Sequence, residues 1–338
     1  MAMIEASAAN KIASRLRQAF AIRESGVFLA LVVFFVAAAI LAPPFRTPFN
    51  LTIILRQITV ATIVGTGQTL IIISGAFDLS QGSVAGLAAM LMAISWKQWG
   101  FLPGVAIGFG LSVGVMCGFA NGVLAARLRL NPIVMTLGTG TVYLGLNYWF
   151  AQGDPVTGLP ASMLWIGQGR LGPIPAPVLI MLMAVVLMQV MLTRTVLGLR
   201  IQMIGGNLNS AYAVGINIDR IRIVAFTLSG FLAALGGIVI VGRTGNAIPT
   251  IGQDILFPVV TATVVGGTLL SGGVGSMAGT LMGAGIVGIV RNSIVLLQAN
   301  IYLQDVIQGL LVLIALIIDQ FRRGQLTWRM VLGKDRYS

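Results

Sequence analysis

Residues 102–124 read LPGVAIGFGLSVGVMCGFANGVL. The run holds no charged side chain from end to end. A bilayer core about 30 Å thick is crossed by roughly 20 apolar residues in an α-helix, so this run is long enough to span one. Gly110, Gly114, Gly118 and Gly122 recur at every fourth position, with Gly104 and Gly108 before them. On a helix of 3.6 residues per turn such a series drifts only about 40° per step, so the glycines line one slowly winding groove. A neighbouring backbone can approach closely there, which is how helices associate where water does not drive them together. The groove reads either as a packing seam or as the lining of a passage. In both readings the chain is a tightly packed helical bundle.

The same character extends outward from this run. The chain has 338 residues, 57% of them hydrophobic and only 9% charged, and its mean hydropathy is +0.96. A soluble domain carries about 25% charged residues. Charge this sparse cannot cover a water-facing surface, so the bilayer must cover it. Ten candidate spans lie near 26–42, 58–74, 82–95, 102–124, 132–151, 176–193, 221–241, 255–270, 275–297 and 306–319. The third and eighth are short, which makes them tilted, broken or re-entrant. Irregular backbone at membrane depth is tolerated only where protein or a cavity buries it. The ninth repeats the glycine device with Gly275, Gly279 and Gly283. The expected fold class is therefore all-α integral membrane, with a cytoplasmic segment 1–25, a membrane domain 26–320 and a cytoplasmic tail 321–338.

The net charge of +12 fixes the orientation. With the N-terminus inside, the inner segments hold Lys11, Arg15, Arg17, Arg23, Arg127, Arg129, Arg194, Arg200, Arg220, Arg222, Arg322, Arg323, Arg329, Lys334 and Arg336. The outer segments hold only Arg46, Arg56, Lys97, Arg170 and Arg243. Cytoplasmic loops carry such an excess, so both termini are placed in the cytoplasm of a bacterial inner-membrane protein with an even number of spans. Nucleic-acid binding would need a clustered, solvated basic domain, and none is present. The first apolar run follows basic residues and contains Ala37, Ala38 and Ala39. The long polar stretch before it and the spans after it make it an uncleaved first helix rather than a signal peptide. Trp96, Trp99, Tyr148 and Trp149 mark outer membrane borders. Residues 152–175, dense in Gly and Pro, read as the longest outer loop, built of turns.

Several chemistries are excluded. There is one cysteine, Cys117, and no histidine. No disulfide framework, cysteine-based zinc site, Ser-His-Asp triad or histidine metal ligand is possible within the chain. Lys11, Lys97 and Lys334 are the only lysines, and none follows the GxxxxG of a phosphate-cradling loop. No catalytic residue, cofactor site or metal site is expected.

Polar residues at membrane depth are the candidate functional ones. Asp78 follows the second span directly, where a charge costs several kcal/mol unless paired or hydrated. It either caps the next helix by accepting backbone N–H bonds or takes part in gating. Arg291 and Asn292 lie within the ninth span. The arginine must snorkel, pair or face water, and Asp305 is its nearest candidate partner in sequence. Asn121, Asn147 and Asn292 either bond a hydroxylated solute or hold neighbouring helices together. A faint internal echo joins Leu79-Ser80 with Gly82-Ser83-Val84-Ala85-Gly86 to Leu270-Ser271 with Gly275-Ser276-Met277-Ala278-Gly279. Such repeats are a habit of transporters, though small residues this common also coincide by chance.

The longest inner loop, 194–220, is the most informative. It holds a short helix, roughly Asn209 to Val214, stopped by Gly215. A short helix on a cytoplasmic loop suits docking into a groove of a partner; the alternative is a plain solvated connection.

Four blocks together resemble the permease subunits of ribose-type ABC sugar importers. They are Ser74–Ser83 (SGAFDLSQGS), Asn131–Gly138 (NPIVMTLG), Gly205–Arg220 with the following Ser229–Gly237 (SGFLAALGG), and Gly266–Gly288 (GGTLLSGGVGSMAGTLMGAGIVG). Their order covers most of the chain from about residue 50 to 320. The resemblance implies a homo- or heterodimer of permeases around a central pathway, two cytoplasmic ATPase subunits that bind ATP and magnesium, and a periplasmic solute-binding protein. It also implies that the inner loop carries the helix that meets the ATPase, with Gly206, Asn207, Ala211, Val214, Gly215, Ile216, Asp219 and Arg220 as contact residues. Asp78, Asn121, Arg291 and Asn292 become candidates for the pathway or its gates. Two departures stand out. Phe77 replaces a usual isoleucine, and Arg291-Asn292-Ser293 replaces a usual Asn-Asn-Gly. The extra charge means that the solute need not be an ordinary neutral sugar. Two rivals make contrasting demands. An ion-coupled transporter needs intramembrane carboxylates, which here are chiefly Asp78, Asp305 and Asp319. A membrane enzyme needs an acid–base set that the chain lacks.

Overall fold

Proline opens several of the long helices. Pro48, Pro103 and Pro132 each occupy the first helical turn, where the fixed φ suits the helix and the missing N–H leaves nothing unbonded. Thr47 and Asn131 cap two of these starts with their side-chain oxygens, which accept from the amides of Asn50 and Ile133. The structure, a computed structural model, describes residues 24–322. Its helices are α1 (Ser25–Leu41), α2 (Pro48–Ile73), α3 (Gln81–Lys97), α4 (Pro103–Ala126), α5 (Pro132–Ala151), α6 (Ala161–Gln168), α7 (Ala176–Arg194), α8 (Val196–Gly206), α9 (Leu208–Ala213), α10 (Ile218–Thr244), α11 (Leu256–Val265), α12 (Met277–Leu296) and α13 (Leu303–Arg322). A two-residue hairpin, β1 (Arg170–Leu171) with β2 (Ile174–Pro175), lies between α6 and α7.

Each of the ten expected spans carries a helix. Five of them, α2, α4, α7, α10 and α12, are by length and composition able to cross a membrane. Apolar side chains such as Phe28 and Val33 on α1, Val134 and Val142 on α5, and Met183 and Val186 on α7 point outward, a surface suited to lipid. The expected terminal segments lie outside the described residues except for residues 24, 25, 321 and 322.

Several expectations need correction. Helix α2 begins ten residues before the predicted 58, because the Thr47-Pro48 start outweighs the charge of Arg56. The 152–175 stretch is not all turns. It contains α6, which packs on the end of α10 with Gly167 against Gly242 and Arg243. Residues 196–206 form the helix α8, where the sequence suggested only a connection. The eighth span ends at Val265, not 270. Gly275 precedes α12 rather than belonging to its glycine series. It lies against Ile73 and Thr268, while Gly279 and Gly283 do face the α11 backbone at Gly266 and Ala262.

The glycine groove of α4 is a packing seam. Gly114, Gly118 and Gly122 lie against Gly230, Phe226 and Ile223 of α10, and Gly110 against Ala88 and Met92 of α3. Gly104 and Gly108 face open space, so the seam begins only at Gly110.

The two short spans are short for a common reason. The side-chain amide of Gln81 donates to the Ser229 hydroxyl at 2.5 Å, and Ser229 also packs on Gly67. Helix α3 therefore starts level with Gly67, about 9 Å back from the end of α2 at 1.5 Å per residue. The link 74–80 has folded back into the bundle. From the opposite end, the chain after α10 turns at Gly245 (φ 79°). Ala247 then pairs with Val156, Pro249 accepts a hydrogen bond from the Asn147 amide at 2.7 Å, and Gly252 reaches Gly82 and Gly86 in the first turns of α3. Two irregular links thus dip in from opposite ends and meet at Gly82–Gly252. Where they meet they are held by protein, with Ser74, Ala76, Asp78 and Ser80 of the first link and Ala247, Pro249, Ile251 and Gly252 of the second buried, the condition for such backbone at membrane depth.

Candidate functional site

Three side-chain caps shape the long inner loop. Thr195 accepts from the Gly198 amide at 3.2 Å and starts α8. Asn207 accepts from Ser210 at 2.9 Å and starts α9. Asn217 accepts from Arg220 at 2.9 Å and starts α10. Each cap satisfies a helix-end amide that has no intrahelical partner. Between α9 and α10 the chain reverses at Gly215, whose φ of 75° is one that only glycine adopts without strain. The expected short helix is thus present, within a residue of its predicted bounds. Ala211 is fully buried, while Tyr212 and Val214 are 77% and 64% exposed. Helix α9 rests on the bundle through Ala211 and presents its other face outward. Ile216 is half-buried. Gly206, Asn207, Asp219 and Arg220 are exposed, and Asp219 sits in the first turn of α10, where a negative charge suits the helix dipole.

The end of α8 is locked into the bundle by backbone. The Gly273 amide donates to the Ile73 carbonyl at 2.8 Å. A Cβ on Gly205 would strike that same carbonyl, and one on Gly272 would lie 3.0 Å from the Gly75 Cα and 3.1 Å from the Gly205 Cα. Three segments interlock here without side chains between them: the α8–α9 junction, the end of α2 with its broken link, and the 266–276 link that leads into α12.

Asp78 lies in the first of these links and is 2% exposed. One carboxylate oxygen accepts from the Ser80 amide at 2.8 Å and from the Ser80 hydroxyl at 2.6 Å. The expected cap is therefore displaced. Asp78 bonds the residue before α3, not an amide inside it, because Ser80 itself occupies the N-cap position. The Asn121 amide donates to the Ser80 hydroxyl at 2.8 Å, and the Tyr143 hydroxyl donates to the Asn121 side-chain carbonyl at 3.0 Å. Thr136 of α5 accepts from the Leu79 amide at 3.0 Å. A buried polar chain therefore runs from the link through α4 to α5.

Arg291 and Asn292 are elsewhere. Asn292 exchanges two hydrogen bonds, 2.9 and 2.8 Å, with Asn50 in the first turn of α2. Arg291 lies 3.8 Å from Asp305, the partner expected for it; the arginine is half-buried and the carboxylate exposed, so this long pair carries little energetic weight. Roughly 35 Å of α2 separates Asn50 from Ile73 at 1.5 Å per residue. Asp78 and Asn121 share one site, Arg291 and Asn292 another, and the four do not converge. Asn121, Asn147 and Asn292 each bond a neighbouring segment.

Sequence reasoning passed over Ser80, Gln81, Thr136, Tyr143 and Ser229, and also Gly205, Gly272 and Gly273. The doublet Gly272-Gly273 was the available signal, since paired glycines outside a helix mark turns with positive φ, whereas Gly205-Gly206 closes α8.

A family model described as "Branched-chain amino acid transport system / permease component" matches residues 50–316. The chain is 35% identical to the ribose import permease protein of Bacillus subtilis (strain 168), over 87% of this chain and 92% of that one. It is 35% identical to the fructose import permease protein of Rhizobium meliloti, over 87% and 83%. It is 32% identical to the autoinducer 2 import system permease protein of Shigella flexneri, over 88% and 86%.

Proposed function

Because this chain belongs to the branched-chain amino acid transport system / permease component family, we propose that it is the membrane-spanning subunit of an ATP-driven importer of a small polyhydroxy solute. The solute class follows the relatives, whose names specify ribose, fructose and autoinducer 2. In this reading the chain crosses the bacterial inner membrane ten times, with both termini in the cytoplasm. It pairs with a second permease, of the same or a different chain. A periplasmic binding protein delivers the solute, and separate cytoplasmic subunits bind magnesium and ATP and hydrolyse it. This chain carries no reaction of its own.

The supporting observation is the backbone lock at the end of α8. In this mechanism the ATPase grips the exposed face of α9 and the Gly206–Arg220 segment around it. Movement of α9 is passed through Gly205 to the Ile73 carbonyl and to Gly273, hence to the links before α3 and α12. Backbone packed on backbone has no side chain to absorb the displacement, so the motion travels as a rigid shift. The link before α3 carries Asp78, and its rearrangement would move the polar chain through Ser80, Asn121 and Tyr143. Solute recognition resides mainly in the binding protein. The permease alternates between two states, and bound solute or ATP shifts that balance only by its different affinity for each.

The test is transport in proteoliposomes holding the full complex. Asp219→Lys and Gly215→Val are expected to leave ATP hydrolysis running while solute uptake falls about tenfold or more, the sign of a broken linkage. Normal uptake by both variants, or ATP hydrolysis by the purified chain alone, would sink the proposal.

A further inference from the structure

Beside α9 lies a cleft of about 640 Å³, formed between the α4–α5 turn and the α9–α10 reversal. Its walls include Arg129, Asn131, Tyr212, Ile216, Asp219 and Arg222. Two arginines face one aspartate, so the cleft is net positive. The Nε of Arg222 is buried and has no hydrogen-bond partner; burial disfavours this charge, and the Asp219 carboxylate offsets that only in part. The rim is apolar where a cytoplasmic surface should be polar. Leu128 and Leu130 on the turn, and Leu208, Tyr212 and Val214 around α9, are all among the exposed large hydrophobic residues. Arg129 holds a left-handed backbone, φ 51°.

We propose that this cleft is a second contact for the ATPase, receiving an acidic side chain of the ATP-binding subunit at Arg129 and Arg222 while the apolar rim and α9 lie against its surface. The inference rests on the importer reading above and adds the α4–α5 turn to the docking surface. An acidic side chain answers the excess positive charge, because a carboxylate presents two oxygens to the guanidinium donors of Arg129 and Arg222. An apolar rim around a buried charge pair excludes water, the usual anatomy of an energetic centre in an interface. The consequence is mechanical. The ATPase would hold the ends of α4, α5 and α10 as well as α9, so its closure would move α4 and α10 together along their glycine seam.

The test uses the full-length tagged chain purified from its membranes with its ATPase, quantified as Mg-ATP hydrolysis per mole of permease over a series of salt concentrations. Three variants are compared: Arg129→Asn, Arg222→Gln and Val214→Asp. Asparagine tolerates the left-handed backbone, so Arg129→Asn removes the charge without straining the turn. The expected result is roughly tenfold less retained hydrolysis for Arg129→Asn and Arg222→Gln, with a flatter salt dependence than the parent, and restoration by Arg129→Lys. Retention and salt slope unchanged in both arginine variants, with Val214→Asp alone releasing the ATPase, would overturn this contact and leave the importer reading standing. Unchanged hydrolysis in all three variants would overturn the importer reading as well. A loss of co-purifying phospholipid phosphate in Arg129→Asn, with the ATPase retained, would make the cleft a lipid headgroup site and would also overturn the proposal.

Discussion

At Gly230 one methyl group decides whether α4 and α10 can touch. A Cβ there would collide with the Gly114 carbonyl and lie 2.8 Å from both the Cα and the amide of Gly118. Backbone atoms cannot rotate aside, so Gly230→Ala is expected to destabilise the chain by about 1–3 kcal/mol, the usual effect of overpacking. Gly104→Ala, on the open part of α4, should be neutral or stabilising by up to about 1 kcal/mol from helix propensity. Thermal unfolding in detergent measures both, and equal effects would show that the glycine spacing has no packing role. The Asn50–Asn292 pair gives a second measurement. Each side chain donates to and accepts from the other in a buried setting, and removing one leaves buried polar atoms of the other unsatisfied, although Asn50 keeps its bond to the Phe45 carbonyl. A double-mutant cycle of Asn50→Ala and Asn292→Ala should give a coupling of about 1–2 kcal/mol. Additive losses would mean that the two do not depend on each other.

The uninterrupted helices were the readable elements. In α4, α7 and α12 an apolar run of full length, closed by turn residues, leaves one interpretation. The broken ones were only half readable. Helix α3 looked short, but nothing in Ser74–Ser80 says whether the chain leaves the membrane there or folds back into it. That outcome depends on Gln81 meeting Ser229, which lies 148 residues away. Helix α8 was missed because Val196–Gly206 alternates apolar and small residues around Arg200 and Gln202 without a span's length. For the candidate site, α9 was legible from its Gly215 stop, which is local turn chemistry, while the Asn207 cap that starts it one residue earlier went unread. The backbone lock was not, since it joins residues near 73, 205 and 273. Gly273 ties these levels together, with its φ of 76° and its amide on the Ile73 carbonyl. Gly273→Val imposes a strain of order 1–3 kcal/mol on that conformation and places a side chain against Gly206. The expected outcome is a complex that retains its ATPase yet imports at a small fraction of the parent rate. Parent-level uptake would show that the lock carries no motion.

Over the whole chain, charge and exposed apolar surface point to one arrangement in the bilayer, and this arrangement can be measured with thiol chemistry. The only native thiol, Cys117, is buried on α4, and Cys117→Ala should remove it at little cost in packing. On that background Tyr212→Cys would report on α9, Trp99→Cys on the turn after α3, and Tyr302→Cys on the turn between α12 and α13. The parent residues are 77%, 46% and 77% exposed, so each new thiol is accessible from one side. If the basic segments lie in the cytoplasm, a membrane-impermeant maleimide should label Trp99→Cys and Tyr302→Cys in right-side-out vesicles, and Tyr212→Cys only in inside-out vesicles. The reverse pattern would place α9 beyond the reach of any cytoplasmic ATPase. Labelling of Trp99→Cys and Tyr302→Cys from opposite faces would mean that the number of crossings between them is odd. Six crossings are expected between them, so an odd number would overturn the ten-span arrangement.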